Sequence, residues 1–281
     1  HPEITPLSNF HHFRDTTLMQ HAITSGDLRF TKLEERLRQL VTEAILSVSN
    51  PNLDHHVRFL ELLKKRGFGR ATNVYIFTTN YDVLFELAGA LAGVVVETGF
   101  VGSVERFFDQ QRFATASGAL QPANRFLEHP VLTVRLIKLH GSVSWTTRNG
   151  VVIEQHPASI TSSEQRVMVL PRRRKVMDTL QHPFDALFTV TSRVLGVDCK
   201  YLASCGFSFG DDHINQNLMT PSVNNGRIKL FALCMEETDG LAAMKSASAF
   251  SAGFQNGGIT AGSPHTDGTD CWKFSKFVDL F

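Results

Sequence analysis

The amino-acid sequence predicts an α/β fold with a doubly wound, mostly parallel sheet. Three short apolar runs, residues 74–77, 134–139 and 201–205, have the composition of buried strands. Segments with helical spacing of apolar residues lie between them, and strands that alternate with helices are typical of doubly wound sheets. Each predicted strand ends abruptly in polar residues, at the edge of the sheet where ligands bind in such folds.

Composition and charge exclude several classes of protein. The chain has 281 residues, 42% of them hydrophobic, which is enough for one large α/β domain or two modest ones. A formal net charge of +1 is too small to attract nucleic acid or a membrane surface electrostatically. No direct nucleic-acid binding is therefore predicted. No apolar run approaches the roughly 18 residues of a membrane span, and no signal peptide is visible. We therefore expect a cytoplasmic protein.

The four cysteines indicate ordinary buried thiols. They stand at Cys199, Cys205, Cys234 and Cys271, and no two of them form a C-x-x-C pair. This spacing argues against a structural zinc site built from thiolates. Reduced thiols of this kind suit a cytosolic protein.

Helical spacing of apolar residues predicts two helices ahead of the first strand, over residues 27–46 and 53–67. We assign residues 1–67 to a helical module and residues 68–281 to the domain that carries the sheet. Within the second helix, His55 and His56 are adjacent and point to different helix faces, so we expect an exposed polar surface there instead of a metal site.

The rest of the chain supplies further elements around the three strands. We predict strands at residues 94–96 and 227–233 and helices at about 181–196 and 272–280. The remaining long segments are rich in glycine or polar residues, which predicts an irregular inserted loop over 97–130 and a flexible loop over 251–270.

The first strand ends in Thr78-Thr79-Asn80-Tyr81-Asp82, directly before an apolar helix. This places an amide and a carboxylate at a strand exit, close to the backbone N–H groups of a helix N-terminus. Such residues also commonly cap a helix, so either Asn80 or Asp82 could have only that structural role.

The second strand ends in Lys138-Leu139-His140-Gly141-Ser142. A histidine that leaves a strand beside glycine can approach a ligand closely, because Gly141 lets the backbone bend. A single histidine is, however, more often an ordinary part-buried residue.

The third strand leads into Gly206-Phe207-Ser208-Phe209-Gly210-Asp211-Asp212-His213. Glycines that flank a serine can form a cradle of backbone N–H groups for a nucleotide, although one such pattern is weak evidence. The acidic pair before His213 is interpreted as the N-cap of a helix that begins near Ile214, in preference to a metal site.

Together, the segments that follow the three predicted strands place an amide, a carboxylate, an imidazole and the backbone of glycine and serine residues at one edge of a sheet. This inventory suits a nucleotide that is held by backbone and hydroxyl groups, with one general base and one positioning amide.

The segments just quoted, with Trp145 three residues after Ser142, occur in the order seen in sirtuin-like domains. They resemble most closely the bacterial antiphage branch of that family, which hydrolyses NAD. The resemblance implies a Rossmann-like NAD-binding catalytic core in residues 68–281. It also implies cleavage of NAD⁺ into nicotinamide and ADP-ribose, and defence by NAD depletion.

The resemblance also assigns roles to residues. Asn80 would orient the ribose or the attacking water, His140 would act as general base, and Asp82 would hold the nicotinamide ribose or carboxamide and stabilise positive charge. The other predicted NAD-binding residues share small or hydroxyl-bearing groups near the strand exits, with one aromatic ring: Thr78, Thr79, Gly141, Ser142, Gly206, Phe207 and Ser208. NAD is expected as substrate, and no metal is expected.

Two departures from the family pattern bear on these implications. Sirtuin deacylases carry a four-cysteine zinc module after the histidine motif, and this chain has none, which argues against deacylation. Sirtuin-like domains also open with a glycine-rich turn after their first strand, whereas Gly67-Phe68-Gly69 precedes a strand here. Either residues ahead of His1 carry that turn, which we favour because the other motifs are intact, or part of the nucleotide site has been lost.

Partners are implied by the resemblance alone. Some members of the antiphage branch assemble with a HerA-type DNA-translocating ATPase, and the segment Thr98–Gly102 looks similar to theirs. We therefore expect a homo-oligomer with such an ATPase as partner. Three other functions stay open at this stage: a sensor of NAD or ADP-ribose, an ADP-ribosyltransferase, and an assembly domain with a degenerate site.

Overall fold

The computed structural model describes residues 28–161, 164–170 and 181–281 of the chain. Its α-helices are α1 (Leu28–Leu46), α2 (Asp54–Arg66), α3 (Leu84–Ala92), α4 (Phe184–Val194), α5 (Asp212–Ile214), α6 (Thr220–Asn224) and α7 (Phe274–Val278). Its strands are β1 (Thr72–Thr78), β2 (Val95–Glu97), β3 (Phe100–Val101), β4 (Arg106–Phe108), β5 (Gly118–Gln121), β6 (Arg125–Glu128), β7 (Leu132–Lys138), β8 (Gly141–Arg148), β9 (Val151–Glu154), β10 (Arg166–Met168), β11 (Tyr201–Cys205), β12 (Lys229–Leu233), β13 (Phe250–Phe254), β14 (Gly257–Thr260) and β15 (Ser263–His265). A short π-helix, Asn215–Met219, joins α5 to α6.

Both N-terminal helices occur close to their predicted ranges. In α2, Phe59 and Leu60 are buried and pack against α3, the first sheet and α7. This helix therefore contributes to the core. Residues 1–27 of the predicted helical module lie outside the described residues.

The first sheet is parallel and has the order β1-β7-β2. In the β1–β7 pair, Thr72 stands opposite Leu132 and Thr78 opposite Lys138, so the two strands end at the same level. Every residue of β7 is buried, as expected for the central strand of a parallel sheet that is covered on both faces. The predicted parallel, mixed α/β organisation is confirmed in this part of the chain.

The second sheet has the order β11-β12-β13-β14-β15. Its first three strands are parallel, and β14 and β15 extend it in antiparallel fashion. The described strands therefore form separate sheets, whereas one continuous doubly wound sheet was predicted. The prediction of a flexible loop over residues 251–270 was wrong, because most of that segment forms β13, β14 and β15. Small residues can line tightly packed strands as well as loops.

The segment after β2 is more ordered than its composition suggested. Residues 97–130 contain β3, β4 and the isolated hairpin of β5 and β6, so the prediction of an irregular loop was wrong for these parts. A third sheet has the order β10-β8-β9-β4-β3, and its strand β8 carries the fully buried Trp145. Phe100 packs against that indole with ring centroids 5.0 Å apart.

The four cysteines are free, as the sequence predicted, and Cys234 is the buried one. Burial raises the pKa of Cys199, Cys205 and Cys234 to about 11, so these thiols stay protonated near neutral pH. None of the helices in the described ranges combines the length and apolar character that a bilayer crossing requires.

Candidate functional site

The loop after β1 is fixed by its own side chains. The Thr78 hydroxyl oxygen accepts a hydrogen bond from the Asn80 backbone N–H at 3.0 Å, which turns the chain out of the strand. Asp82 Oδ1 accepts from the N–H of Leu84, the first residue of α3, at 3.1 Å. The N-cap residue of α3 is Val83, so Asp82 holds the first residue of the helix without being its N-cap, and the Asn80 side chain stays exposed on the loop.

An ion pair between a buried lysine and a part-buried glutamate supports this loop. Lys138, only 1% exposed at its side chain, places Nζ 2.7 Å from Glu86 Oε1 and also donates to the backbone carbonyl of Asp82. Burial raises the pKa of Glu86, and the neighbouring ammonium of Lys138 opposes that shift. Lys138 thus connects the end of β7 to both α3 and the loop that carries Asn80.

His140 lies in the short turn between β7 and β8. Its Nε2 is 2.8 Å from Asp211 Oδ2, and both side chains are at least nine-tenths buried. A carboxylate can only accept here, so the pairing favours the imidazole tautomer that carries its hydrogen on Nε2.

Asp211 performs two tasks with its two oxygens. Oδ1 accepts from the N–H groups of His213 and Ile214 at 3.1 and 3.3 Å and caps α5, as predicted. Oδ2 binds His140. The sequence analysis identified the cap but not the contact with His140, because 71 residues separate the two partners.

The loop after β11 is held by backbone contacts on both sides. Phe209 is buried with φ of 54°, and the amide of Asn215 donates to its carbonyl at 2.5 Å. Thr238 donates to the carbonyl of Ser208 at 2.7 Å. Gly206, with φ of 69°, supplies the left-handed turn that ends β11. Ser208 is exposed on a loop whose backbone is fixed.

These three loops line one cavity of about 960 Å³. Most of the predicted site residues reach its wall, namely Thr78, Thr79, Asn80, Asp82, His140, Gly206, Phe207 and Ser208. Its size falls at the upper end of the range for small-molecule and cofactor pockets, about 300–1,000 Å³.

Gly141 and Ser142 do not line this cavity. A Cβ at residue 141 would lie 2.2 Å from the Val167 carbonyl oxygen, so the glycine lets β8 and β10 approach each other. Ser142 is fully buried, and its hydroxyl donates to the carbonyl of Tyr81 at 3.2 Å. Both residues hold neighbouring parts of the site in position.

His56 was expected on an exposed surface, and that prediction was wrong. Its ring packs between Phe85 and Phe274, with centroids 5.0 and 4.7 Å away, and it lines the cavity. Burial lowers the pKa of His56, while the nearby charge of Asp82 acts in the opposite direction. His55 is exposed, as predicted.

The described residues contain no cluster of three or more His, Cys, Asp or Glu side chains that could hold a metal ion. Lys138 is the single lysine or arginine among the described residues that line the cavity, and its charge is already paired with Glu86. An anionic ligand would therefore be held by backbone N–H groups and hydroxyls more than by cationic side chains.

Comparison with known protein families gives one match. Residues 74–239, more than half of the chain, match the family model of the SIR2-like domain. The matched range contains all three loops of the cavity. No curated protein matches the sequence significantly.

Proposed function

Because this chain belongs to the family of SIR2-like domains, we propose that it binds NAD⁺ in the cavity and hydrolyses the bond between nicotinamide and ribose. The observation that carries the proposal is the His140–Asp211 pair, 2.8 Å apart, on the wall of a cavity that also presents the exposed amide of Asn80. A base with a fixed tautomer can take a proton from the water that attacks a ribose carbon, and an amide can orient that water.

The cavity fits a dinucleotide in size and in chemistry. The loops that follow β1 and β11 offer the hydroxyl groups of Thr79 and Ser208, and Gly206 lets the backbone approach a ligand closely. Phe207 adds an aromatic surface suited to a base or a nicotinamide ring, 4.8 Å from Phe209 by ring centroids. This wall matches the expectation of a nucleotide held by backbone and hydroxyl groups.

In the proposed reaction, the bond between the ribose C1′ and the nicotinamide nitrogen breaks, and its electron pair leaves with neutral nicotinamide. Water attacks C1′ and forms the new C–O bond, and His140 takes the proton that this water loses. Asn80 orients the water or the ribose. The products are nicotinamide and ADP-ribose.

Two carboxylates support these steps in different ways. Asp211 holds the imidazole of His140 and stabilises the imidazolium that forms when it accepts the proton. Asp82 lies on the cavity wall, where its negative charge stabilises the positive charge that develops at the ribose in the transition state.

The test is nicotinamide release from NAD⁺ by the purified chain and its variants. We expect His140→Ala and Asn80→Ala each to lower turnover, with about a 10²–10⁴-fold loss for the general base. His129→Ala serves as a control, because His129 is exposed and does not line the cavity. Wild-type turnover in both site variants would refute the assignment.

The same assay separates the other functions. Binding of NAD⁺ without release of nicotinamide would indicate a sensor, and transfer of labelled ADP-ribose to protein or nucleic acid would indicate a transferase. We extend the proposal to antiphage defence by NAD depletion in a homo-oligomer that a HerA-type ATPase controls. This extension rests on the resemblance of the motifs, and phage challenge of cells that carry the His140→Ala variant tests it.

A further inference from the structure

The turn between α2 and β1 carries a dense group of positive charges. Residues 64–70 have the sequence Lys-Lys-Arg-Gly-Phe-Gly-Arg, and all four lysine and arginine side chains are exposed. We call this segment the basic turn. It lies at the amino end of β1, whereas the candidate site lies at the carboxyl end, and none of residues 64–70 lines the cavity. Because a strand rises about 3.3 Å per residue, β1 separates the two by roughly 20 Å.

Part of this charge has a local structural role. Residues 64–66 form the last turn of α2, where cations offset the negative end of the helix macrodipole. Lys64 Nζ also donates to the carbonyls of Ala92 and Gly93 at 3.1 and 3.2 Å, and it thereby caps the end of α3. Neither role accounts for Arg70, which follows the helix.

Nearby acidic side chains do not compensate these charges. The side chains of Lys65 and Arg70 form no hydrogen bond or ion pair with the residues that the structure describes. The chain segments that meet at this edge of the first sheet are residues 62–71, 91–96 and 129–133, and their sequences contain no aspartate or glutamate. The edge is therefore locally positive, although the whole chain is almost neutral.

Exposed apolar side chains share this edge with the cations. Phe68, at the tip of the basic turn, is 88% exposed. Val131 lies next to the start of β1, because the Thr72 N–H donates to its carbonyl at 3.1 Å. Leu91 stands in the last turn of α3, beside the carbonyl groups that Lys64 contacts. Both aliphatic side chains are exposed as well.

This combination favours the surface of an anionic lipid bilayer over nucleic acid. Phosphate groups attract cations in both, but a nucleic acid offers apolar contact mainly at the faces of its bases, which suit an aromatic ring. Leu91 and Val131 have no counterpart there. A bilayer accepts aromatic and aliphatic side chains at the boundary of its acyl chains, next to cations that bind the headgroups. It also deforms around a protruding side chain such as Phe68, so it needs no complementary groove.

The magnitudes require both kinds of side chain. Each lysine or arginine near an anionic membrane surface raises the affinity roughly fivefold, so four of them together raise it by roughly 10³-fold. Burial of a phenylalanine side chain adds a factor of roughly ten to a hundred. A single signal of either kind gives only marginal membrane binding. Measurable, reversible binding therefore needs Phe68 together with the cations.

We propose that the basic turn is a reversible docking site for the surface of an anionic lipid bilayer. Phe68 inserts among the headgroups, and Lys65 and Arg70 bind lipid phosphate or carboxylate groups beside it. The net charge of +1 gave no reason to expect such binding, because it sums the charges of all faces. The cavity opens at the other end of β1, so it stays accessible in the docked chain. The inference does not depend on the proposed chemistry.

The test is co-sedimentation of the purified chain with lipid vesicles. The vesicles contain one-third phosphatidylserine and two-thirds phosphatidylcholine, and vesicles of phosphatidylcholine alone are the control without net charge. We expect the chain to bind the first kind and to show little binding to the second. Added salt should weaken the binding, because it screens exposed charges. The readout is the bound fraction at increasing lipid concentration, which requires no catalytic activity.

Variants separate the two kinds of contact. Lys65→Gln should lower the affinity for the anionic vesicles roughly fivefold. Lys245→Gln is the matched control, because it removes one exposed positive charge beyond the carboxyl end of β12 and should leave the affinity unchanged. Phe68→Ser should lower the affinity roughly ten- to a hundredfold. Phe68→Leu keeps an apolar side chain and should retain most of it.

Equal binding to both kinds of vesicle, or binding to neither, would overturn the proposal. Equal losses in Lys65→Gln and Lys245→Gln would do the same, because the basic turn would then have no special part in binding. Equal losses in Phe68→Leu and Phe68→Ser would contradict insertion into a bilayer. Binding of a fluorescent oligothymidine in place of vesicles would show that the basic turn is a nucleic-acid site instead.

Discussion

Substitution of Asp211 by asparagine separates its two structural tasks. Asparagine caps helices about as well as aspartate, but it has one acceptor oxygen where aspartate has two. The side-chain oxygen that accepts from the His213 and Ile214 N–H groups is then no longer available to His140. The amide NH₂ faces Nε2 instead, which favours the tautomer with its hydrogen on Nδ1.

The magnitudes of the two effects differ. Loss of the cap in Asp211→Ala should cost about 0.5–2 kcal/mol of stability, whereas Asp211→Asn should leave the melting temperature close to wild type. Turnover in Asp211→Asn should nonetheless fall by about 10²–10⁴-fold, as for loss of a correctly oriented general base.

The assay combines nicotinamide release with thermal unfolding of the same preparations. Asp212→Asn is the matched control, because Asp212 is the adjacent acid, is exposed and begins the same helix. An Asp211→Asn variant with unchanged turnover would refute the view that Asp211 positions His140. A variant that loses turnover and stability in parallel would show that the cap alone matters.

Three other substitutions probe the framework of the site. Lys138→Met leaves the Glu86 carboxylate without its cation, and we expect a loss of about 3 kcal/mol in unfolding free energy. Burial already raises the pKa of Glu86, and its neutral form needs no cation, so this loss should grow as pH rises and shrink in acid. Gly141→Ala should cost at least about 1–2 kcal/mol for its φ of 83° alone, with a further loss from the 2.2 Å approach to the Val167 carbonyl, as measured by urea denaturation. His56→Phe removes a buried, unsatisfied Nδ1 and should stabilise the chain by about 1 kcal/mol. Since burial lowers the pKa of His56 below 6.5, the wild type loses stability as pH falls through 6.5 and below, and the variant should lose less.

Each of these substitutions has a specific control. Glu86→Gln combined with Lys138→Met should recover part of the stability, because no buried charge remains. Gly150→Ala has a similar φ of 78° but no atom within 4 Å of the added Cβ, so its cost should be backbone strain alone. His55→Phe changes an exposed residue and should leave the pH dependence unaltered. Equal costs for Gly141→Ala and Gly150→Ala would contradict the packing argument.

Local sequence patterns predicted the elements that depend on neighbouring residues. The helices of the N-terminal segment and the strands β1, β7 and β11 follow from apolar spacing over a few residues. The polar segments after the strands were recognised because Asn80 and His140 follow directly on apolar runs. Strands β13 to β15 were missed, since glycine and serine are common in loops. These strands are held by pairing, β13 with β12, β14 with β13 and β15 with β14.

The sequence by itself determined which residue types stand at the ends of the strands, and it allowed those ends to share one edge. Tertiary structure alone decided that Asp211 reaches His140, that Lys138 and Glu86 support the loop of Asn80, and that Gly141 and Ser142 lie behind the cavity. It also decided that β1 and β11 both line the cavity. The physical reason is that caps and strand patterns depend on bonds within a few residues. The Lys138–Glu86 and His140–Asp211 contacts instead join residues that are 52 and 71 positions apart, and they depend on how the sheets pack.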